Sequence, residues 1–491
     1  MEMAAAPHVK KRRTSLPKRP HPPAPAAVVE SHCRKVPPGA AGREGDGVDR
    51  ISGLPDAVLG EIVSLLPTKD GIRTQALASR WRHLWLSAPL NIDRSSLPVN
   101  ANAQLLIISR ILAAHPGPAR RLSVSLYFLF YRHETFEKWF GSAALNNLQE
   151  LELGHGEVWY FENPVVSLPP SAFRFSATLR VATITKCVLD AMVETVQFPQ
   201  LRQLELVDVK ISGDSLHKMI AGCPVLESLQ LKKIYGFSTI RISSHSLICF
   251  SFHISGYEND SKKLIVEDAP LLERLLQLET CRFLHVSIIS APKLETLGCL
   301  TDRDLNSELV LGTTVIQKLC AVSFMTGICC VKVLAVNVNS PKSMDALLDL
   351  MRCFPCLEKL YIQMSSVFGG KYVWRCNQPN QVKCLDSSLT TVVFKDYRGL
   401  KPHVKFATFF ILNAKRLEVM RFEARGLKFY NNKKFIAEQR KLHQLFEKRA
   451  SRAGQFYFTG SRCERDLPHI KHVNDLSKTN PFECTCLAWL S

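Results

Sequence analysis

The chain has 491 residues, of which 46% are hydrophobic, and a formal net charge of +19 at pH 7. At about 150 residues per domain this length predicts two to four domains, with enough apolar side chains to build their cores. No apolar run reaches the roughly 18 residues of a membrane-spanning helix, and the N-terminal sequence lacks the apolar stretch of a secretory signal. We therefore expect a nuclear or cytoplasmic protein with no membrane partner.

The positive charge is compatible with a nucleic-acid partner. Part of it lies in the first 47 residues and the rest is dispersed along the chain. No zinc-finger spacing, basic leucine-zipper pattern or aromatic RNA-binding motif accompanies it. A solvated basic surface therefore explains the charge better than a nucleic-acid site does.

Neither the cysteines nor the usual catalytic motifs indicate a metal site or an active site. The 16 cysteines show no framework spacing, which indicates reduced thiols. CFPC at Cys353–Cys356 is a lone CxxC, and CTC at Cys484–Cys486 has no further ligands nearby, so we expect no metal site. Phosphate-binding loops, nucleophile elbows, HExxH and strand-linked GxGxxG are all missing. We expect a non-catalytic protein without a cofactor.

The first 47 residues are rich in Pro, Ala, Gly and basic residues and have no apolar periodicity. Such a composition cannot bury enough apolar surface to fold, so residues 1–47 are predicted to be a disordered tail. The KKRR cluster at residues 10–13 is a candidate nuclear address within it.

Three short helices are predicted between residues 49 and 93. The first opens at Leu54-Pro55-Asp56, because Pro is tolerated at a helix start, and Pro67 ends it. Asp70 is placed to cap the second helix. The apolar residues of the three helices are Val58, Ile62, Leu65 and Leu66, then Ile72, Ala76 and Leu77, then Trp81, Leu84 and Trp85. A small module cannot bury all of these side chains internally, which predicts a contact with another polypeptide.

Two further elements follow these helices. AQLLIISRILAAH, residues 103–115, predicts an amphipathic helix that ends before Pro-Gly. LSVSLYFLF, residues 122–130, alternates apolar and polar residues at its start and predicts a strand.

The chain then repeats a pattern of Pro, any residue, Leu, a charged residue, any residue and Leu. Its copies are FPQLRQLEL (198–206), CPVLESLQL (223–231), APLLERLLQL (269–278), APKLETLGCL (291–300) and FPCLEKLYI (354–362), with weaker copies at residues 179–189 and 247–252. The first leucines recur about every 23 residues, with two units predicted between Leu226 and Leu272 and three between Leu294 and Leu357. A period of 20–29 residues with LxxLxL is typical of leucine-rich repeats, which join one strand to one helical or irregular return.

Residues 49–93, DRISGLPDAVLGEIVSLLPTKDGIRTQALASRWRHLWLSAPLNID, resemble a plant-type F-box. Leu54-Pro55, Leu59, Ile62, the LLPTKD turn and SRWRHLW match that family's pattern in order. The sequence departs from that pattern at Gly71, where Ala is commoner, and at Ala76 and Ala78, whose small side chains reduce the apolar surface in the middle of the second helix.

Residues 384–422, CLDSSLTTVVFKDYRGLKPHVKFATFFILNAKRLEVMRF, resemble the FBD region that follows the repeats in many plant F-box proteins. They read as a strand, the turn KDYRGL, a helix over about residues 402–414 and a last strand, and this unit would cap the repeats. Beyond residue 430 we expect a basic amphipathic helix and a strand at QFYFTG.

The two resemblances imply a mixed helix and strand fold: an N-terminal three-helix F-box, then an irregular leucine-rich-repeat solenoid with a C-terminal FBD cap. The implied domains are the disordered tail at 1–47, the F-box at 48–93, the repeats at 94–380, the FBD region at 381–425 and a basic helix and tail at 426–491.

F-box proteins are the substrate-recruiting subunits of SCF-type cullin-RING ubiquitin ligases. The resemblance therefore implies a Skp-type adaptor, a cullin-RING ligase reached through it, and a protein substrate for ubiquitination. The implied adaptor-binding residues are Leu54, Pro55, Leu59, Ile62, Leu65, Leu66, Leu77 and Trp85. About half of the module's apolar residues, Trp81 above all, are expected to fill its own core instead.

Substrate would bind on the repeat strands. The last two leucines of LxxLxL point into the repeats, so the residues that flank them point the other way. These expected substrate-binding residues are Gln203, Glu205, Ser228, Gln230, Lys359 and Tyr361. Two alternatives remain: an F-box scaffold that acts outside a ligase, and a nucleic-acid-binding regulator that uses the positive charge.

Overall fold

The computed structural model describes residues 51, 53–115, 118–154, 166–189, 193, 195–254, 261–279, 283–302, 307–323, 328–340, 343–364, 382–425, 433–461, 467–477 and 480–483. The predicted tail at 1–47, with its KKRR cluster, and the CTC motif at 484–486 lie outside these residues. The helices and strands given below belong to one compact unit, Leu54–Ser491. Among the described helices, none is long and apolar enough to span a membrane.

Helices and strands alternate along the described chain. The helices are α1 (Asp56–Leu65), α2 (Thr68–Thr74), α3 (Ser79–Ser87), α4 (Ala101–Ala114), α5 (Leu126–Tyr131), α6 (His133–Phe140), α7 (Gly213–Ala221), α8 (Ser343–Arg352), α9 (Lys383–Ser387), α10 (Lys401–Asn413) and α11 (Lys433–Gln444). The strands are β1 (Leu90–Ile92), β2 (Ala119–Ser125), β3 (Glu150–Gly154), β4 (Val166–Ser167), β5 (Val181–Thr185), β6 (Cys187–Leu189), β7 (Gln203–Val207), β8 (Lys210–Ile211), β9 (Ser228–Ile234), β10 (Thr239–Ser243), β11 (Cys249–Ile254), β12 (Lys262–Asp268), β13 (Arg274–Gln277), β14 (Leu284–Ile288), β15 (Thr296–Thr301), β16 (Glu308–Leu311), β17 (Thr314–Gln317), β18 (Cys320–Ser323), β19 (Val333–Val338), β20 (Lys359–Met364), β21 (Thr391–Lys395), β22 (Val419–Arg425) and β23 (Gln455–Ser461).

Fourteen of these strands form one large sheet in the order β1-β2-β3-β5-β7-β9-β11-β13-β15-β19-β20-β21-β22-β23. Neighbouring strands are parallel, and the order follows the chain, so each repeat adds one strand beside the previous one. β1 and β23 are the two edges of this sheet, which is not closed into a barrel. The five LxxLxL copies are β7, β9, β13, β15 and β20, and the two weaker copies are β5 and β11, as the repeat pattern predicts.

The two faces of the large sheet carry different residues. Leu204, Leu206 and Leu229 are fully buried in the main hydrophobic core, on the side of the repeat returns. Because side chains alternate along a strand, the residues between these leucines lie on the opposite face. We call it the crossed face, and its members include Gln203, Glu205, Ser228, Gln230, Lys359 and Tyr361.

The returns between large-sheet strands differ along the chain. Some are helical, such as α7 and α8, while others form a second sheet in the order β10-β12-β14-β16-β17-β18. The prediction of three units between Leu294 and Leu357 is wrong, because the described residues there contribute only two strands, β15 and β19, to the large sheet. The extra length goes into β16, β17 and β18, which pair antiparallel at the edge of the second sheet.

Only the first four residues of the strand predicted over residues 122–130 are in a strand. β2 ends at Ser125, and the LYFLF sequence forms helix α5. Phe128 is buried, and its ring centroid lies 5.1 Å from that of Trp139 on α6. Packing of α5 against α6 has overridden the strand propensity of these aromatic residues, which is a weak local preference.

The second helix also begins differently from the prediction. Pro67 occupies the cap position of α2, and Asp70 lies inside the first turn, where it forms an ion pair with Arg73. Asp70 still benefits from the positive end of the helix dipole. Ala76 and Leu77 were predicted to lie on this helix, but they follow its last residue, Thr74.

The strand, helix and strand predicted for residues 384–422 are β21, α10 and β22. They do not end the sheet, because the predicted strand at QFYFTG is β23 and pairs with β22 as the next strand. The ring of Phe422 stacks between Phe394, at a centroid distance of 5.4 Å, and Phe458, at 4.6 Å. These aromatic rings join the predicted cap region to the final strand.

Phe422→Ala is expected to destabilise the protein by about 3–5 kcal/mol, since it leaves a cavity between two stacked rings. Urea unfolding followed by circular dichroism measures the loss. Tyr457→Ala is the matched control, because that ring lies on the neighbouring strand and is 44% exposed. Its cost should stay below about 1 kcal/mol. Equal losses for the two variants would contradict the packing described here.

His403 on α10 is fully buried. Burial, together with the positive charge of Arg398, lowers the pKa of His403 to about 3. The ring is therefore neutral at pH 7, and its Nδ1 accepts a hydrogen bond from the backbone N–H of Arg398 at 3.3 Å.

Stability should therefore fall as the pH drops below 6.5. The unfolded state binds a proton near pH 6.5, whereas folded His403 binds one only near pH 3, so protons favour unfolding between these values. The loss at pH 5 is about 2 kcal/mol if no other group compensates. Unfolding curves of wild type and His403→Asn between pH 5 and 7.5 test this, since the Asn oxygen can replace Nδ1 without titrating. The same pH dependence in both proteins would rule out His403 as the cause.

Candidate partner-binding surfaces

The three helices α1, α2 and α3 have a small hydrophobic core of their own. Its buried residues are Leu59, Val63, Trp81, Leu84 and Ala88, with Leu54 and Trp85 packed at its margin. Leu59 and Val63 come from α1, and the other buried residues come from α3 or follow it. The core is therefore complete within about 35 residues, without a contribution from the repeats.

Arg80 fixes the start of α1 against α3. Its guanidinium donates a hydrogen bond of 2.6 Å to the backbone oxygen of Leu54 and another of 2.6 Å to the Asp56 carboxylate. Leu54-Pro55 is therefore held at the entrance of the helix by a side chain from the third helix.

Other contacts join this helical module to the large sheet. Asn91 on β1 donates to the backbone oxygen of Ser64, and its own backbone oxygen accepts a hydrogen bond from the Thr68 hydroxyl. Trp85 on α3 meets His115 edge to face at 4.7 Å, and the His115 Nε2 lies 3.0 Å from the Trp85 backbone oxygen. The module is thereby anchored on the edge strand of the repeats.

The module leaves large apolar side chains in solvent although its own core is filled. They are Val58, Ile62, Leu65, Ile72, Leu77 and Leu86. Leu65 and Leu77 are each 67% exposed. Val58, Ile62 and Leu65 recur at helical spacing and lie on one face of α1, away from Leu59. Six such side chains within 29 residues form a candidate protein-binding surface.

The structure divides the eight predicted adaptor-binding residues into three groups. Pro55, Ile62, Leu65 and Leu77 are exposed, and Leu54, Leu66 and Trp85 are half-buried. Leu59 is fully buried in the module's core, so its assignment to a contact surface is corrected: it supports the surface from inside. Leu86 on α3 is also exposed, although it was not predicted as a binding residue. In the sequence it resembles a core leucine, and only its place on the helix relative to the buried Leu84 separates the two.

The second candidate surface is the crossed face of the large sheet. The six predicted substrate-binding residues all lie there, as the alternation requires. Glu205, Ser228, Gln230 and Tyr361 are nevertheless buried, while Gln203 and Lys359 are half-buried. The alternation of the strands thus places these residues on one face, but it does not show that this face is covered.

The cover is a C-terminal stretch that we call the crossing segment, residues 467–477 and 480–483. Leu467, Val473, Leu476 and Phe482 are buried in one apolar cluster with residues of the crossed face. The cluster's members from the sheet are Cys249, Leu276, Cys299, Ala335, Tyr361 and Val393. These residues come from β11, β13, β15, β19, β20 and β21, so the segment passes over consecutive strands.

Polar side chains add to this contact near β20. The Asn480 amide donates a hydrogen bond of 2.6 Å to the Tyr361 hydroxyl, and the Phe482 ring centroid lies 5.2 Å from that of Tyr361. Lys395 Nζ lies 2.6 Å from His469 Nε2. Burial raises the pKa of Tyr361 to about 12, so this hydroxyl remains protonated at neutral pH.

Two buried cysteines are protonated at neutral pH. Burial raises the pKa of the Cys249 thiol to about 11 and that of Cys353 in the CFPC motif to about 11, so neither is a thiolate at neutral pH. Within the described ranges no three His, Cys, Asp or Glu side chains converge as a metal site would require.

Comparison with known proteins identifies relatives of the chain. Residues 136–362 match the family described as FBD-associated F-box protein At5g56370, LRR repeats, and residues 380–422 match the family described as FBD. Probable FBD-associated F-box protein At1g32375 of Arabidopsis thaliana is 25% identical over 79% of this chain and 95% of its own length. F-box/FBD/LRR-repeat protein At3g52680 of the same plant is 26% identical over 82% of this chain and 89% of its own. F-box/FBD/LRR-repeat protein At5g56420 is 28% identical over 75% and 90%, respectively.

Truncation of two leucines of α1 should have very different effects on stability. Leu59→Ala is expected to destabilise the helical module by about 2–5 kcal/mol, because it opens a cavity beside Trp81 and Leu84. Leu65→Ala should change stability by no more than about 0.5 kcal/mol, because its side chain is already in solvent. Hydrogen exchange of the α1 and α3 amides measures both effects. Faster exchange in Leu65→Ala than in Leu59→Ala would refute the assignment of core and surface.

Proposed function

Because the chain belongs to the F-box/FBD/LRR-repeat proteins, we propose that it is the substrate-recognition subunit of an SCF-type cullin-RING ubiquitin ligase. Helices α1–α3 act as the F-box and dock on a Skp-type adaptor. The repeats form an irregular solenoid that holds a protein substrate for ubiquitination. The chain itself carries no catalysis, and the transfer of ubiquitin belongs to other subunits. Its place of action is the nucleus or the cytoplasm.

The exposed apolar surface of the helical module carries this proposal. The module fills its own core with Leu59, Trp81 and Leu84 and still leaves Ile62, Leu65 and other aliphatic side chains in water. An obligate partner interface of roughly 2,000 Å² or more is rich in such residues. At about 25 cal/mol per Å² of apolar surface, removing them from water is a large part of the binding free energy.

The contacts at the start of α1 support the same docking surface. Arg80 holds Leu54-Pro55 in place through the Leu54 backbone oxygen, and the exposed Pro55 begins the surface. Hydrogen bonds of Asn91 on β1 with Ser64 and Thr68 fix the module on the first strand of the large sheet, and His115 at the end of α4 packs on Trp85. A fixed module would give the bound substrate a defined position relative to the adaptor, which favours productive transfer.

The alternative is a scaffold that no longer binds the adaptor. The observation that favours it is the short second helix, which has seven residues and leaves Ala76 and Leu77 outside. Capture of purified Skp adaptor by the full chain distinguishes the two. Saturable capture supports the ligase subunit, and failure of the folded chain to capture any adaptor supports the scaffold.

The double variant Ile62→Asp and Leu65→Asp should lose adaptor binding while keeping the fold. Two charges in the desolvated centre of an interface are expected to weaken capture at least about 30-fold. Leu106→Asp is the matched control, because Leu106 is an equally accessible leucine of α4, 55% exposed and outside the module. Quantitative pull-down and circular dichroism are measured on all three proteins. Unchanged capture by the double variant would show that the adaptor binds elsewhere.

A further inference from the structure

The backbone of the crossing segment is held directly by side chains of the sheet. Gln363 Oε1 accepts a hydrogen bond of 2.9 Å from the Leu467 N–H, and Arg274 Nη1 donates one of 2.7 Å to the Leu476 oxygen. Every peptide offers the same N–H and C=O groups. These contacts therefore do not depend on which side chains the segment carries.

The same mode of contact recurs at β7 and β9. Glu205 Oε2 accepts a hydrogen bond of 3.3 Å from the Val473 N–H, and Lys232 Nζ donates one of 2.5 Å to the Lys471 oxygen. Glu205 and Lys232 are also paired with each other at 3.2 Å, which orients both toward the segment. Four side chains of the crossed face, from β7, β9, β13 and β20, thus bind four backbone groups.

Buried side chains add sequence specificity to these backbone contacts, and two of them share one helical turn. Residues Val473–Ser477 form one 3-10 turn, in which side chains three residues apart lie on the same side. Val473 and Leu476 are 1% and 0% exposed, and both enter the apolar cluster on the sheet. The chain's own Asp475 stabilises the turn by accepting hydrogen bonds from the backbone N–H groups of Lys471 and His472. The crossed face thus accommodates one helical turn with an i, i+3 aliphatic pair.

The segment is attached less firmly than a strand of the sheet. None of its described residues pairs with a strand of the large sheet. Gln230 is fully buried beside Glu205, and neither polar atom of its amide makes a hydrogen bond to the described residues. The Ser251 hydroxyl on the next strand is likewise buried and makes no hydrogen bond to the described residues. Burying polar groups in this way opposes the contact, and a segment that leaves would return them to solvent.

From these contacts we propose that the crossed face is a peptide-binding groove and that the crossing segment is its resident ligand. A substrate protein inserts a short segment that forms one helical turn, with aliphatic side chains three residues apart, and displaces residues 467–483. The inference rests on the proposed function, because it specifies how the repeats hold their substrate. The crossing segment lies outside both family-matched ranges, 136–362 and 380–422, so those matches do not account for it.

The test uses a fluorescein-labelled peptide of residues 467–483, LPHIKHVNDLSKTNPFE, and fluorescence anisotropy. The proteins are the full wild-type chain and the full chain with Val473→Asp and Leu476→Asp, which removes the aliphatic pair from the resident segment. A tethered ligand has an effective concentration in the millimolar range and competes strongly. The double variant is therefore expected to bind the peptide at least about 100-fold more tightly than wild type.

Three controls make the result specific. A labelled peptide carrying the same two Asp substitutions should not bind the double variant. Adding Arg274→Ala to the double variant should weaken peptide binding, because it removes the donor to the Leu476 oxygen. Capture of the Skp adaptor should be the same in wild type and double variant, so loss of the groove and loss of the ligase role are separate outcomes.

Hydrogen exchange on the wild-type chain provides a second measurement that needs no substitution. Excess unlabelled peptide should accelerate exchange of the Val473–Ser477 amides and leave those of β20 unchanged. If these amides stay as protected as the core strands under excess peptide, the segment is a permanent part of the sheet. That outcome, or equal peptide affinity of wild type and a folded double variant, would overturn the proposal.

Discussion

Burial of both faces of a parallel sheet is the constraint on which the rest of this structure depends. Parallel sheets are found almost only where both faces are covered, because their strands are laid down with a connection across one face and are apolar on both. Here the repeat connections cover the core face, where Leu204, Leu229 and Leu360 are fully buried. In the described part of the chain the opposite face is covered by the crossing segment, which contacts strands from β7 to β21.

This constraint gives the two candidate surfaces opposite characters. The helical module has filled its own core and presents bare aliphatic side chains, such as Leu65 and Leu77, which suits a constitutive partner that buries them. The crossed face is polar where Glu205 and Lys232 lie, and it already holds a segment of the chain. A face of that kind suits an exchangeable partner, because buried polar groups such as the Gln230 amide regain hydrogen bonds to water when the segment leaves.

Local pattern predicted most of the strands and the faces they present. LxxLxL identified β7, β9, β13, β15 and β20 because two buried leucines in alternation are sufficient to set the position and the face of a strand. The prediction failed where it relied on the spacing between repeats or on the strand propensity of single residues, because neither shows which segments come into contact. The interval from Leu294 to Leu357 holds fewer repeats than its length allows, since part of it pairs in a second sheet. The LYFLF sequence became α5 because Phe128 packs on Trp139.

By itself the sequence determined the order of modules, the face of each repeat strand and the excess of apolar residues in the first three helices, because all of these depend on neighbours a few positions apart. Only the tertiary structure decided which of those apolar residues are bare, with Leu59 inside and Leu65 outside. It also decided that the crossed face is occupied. Arg274 and the Leu476 oxygen that it binds are separated by 202 positions. No periodicity in either segment encodes such a contact, since it exists only once the sheet has brought its strands side by side.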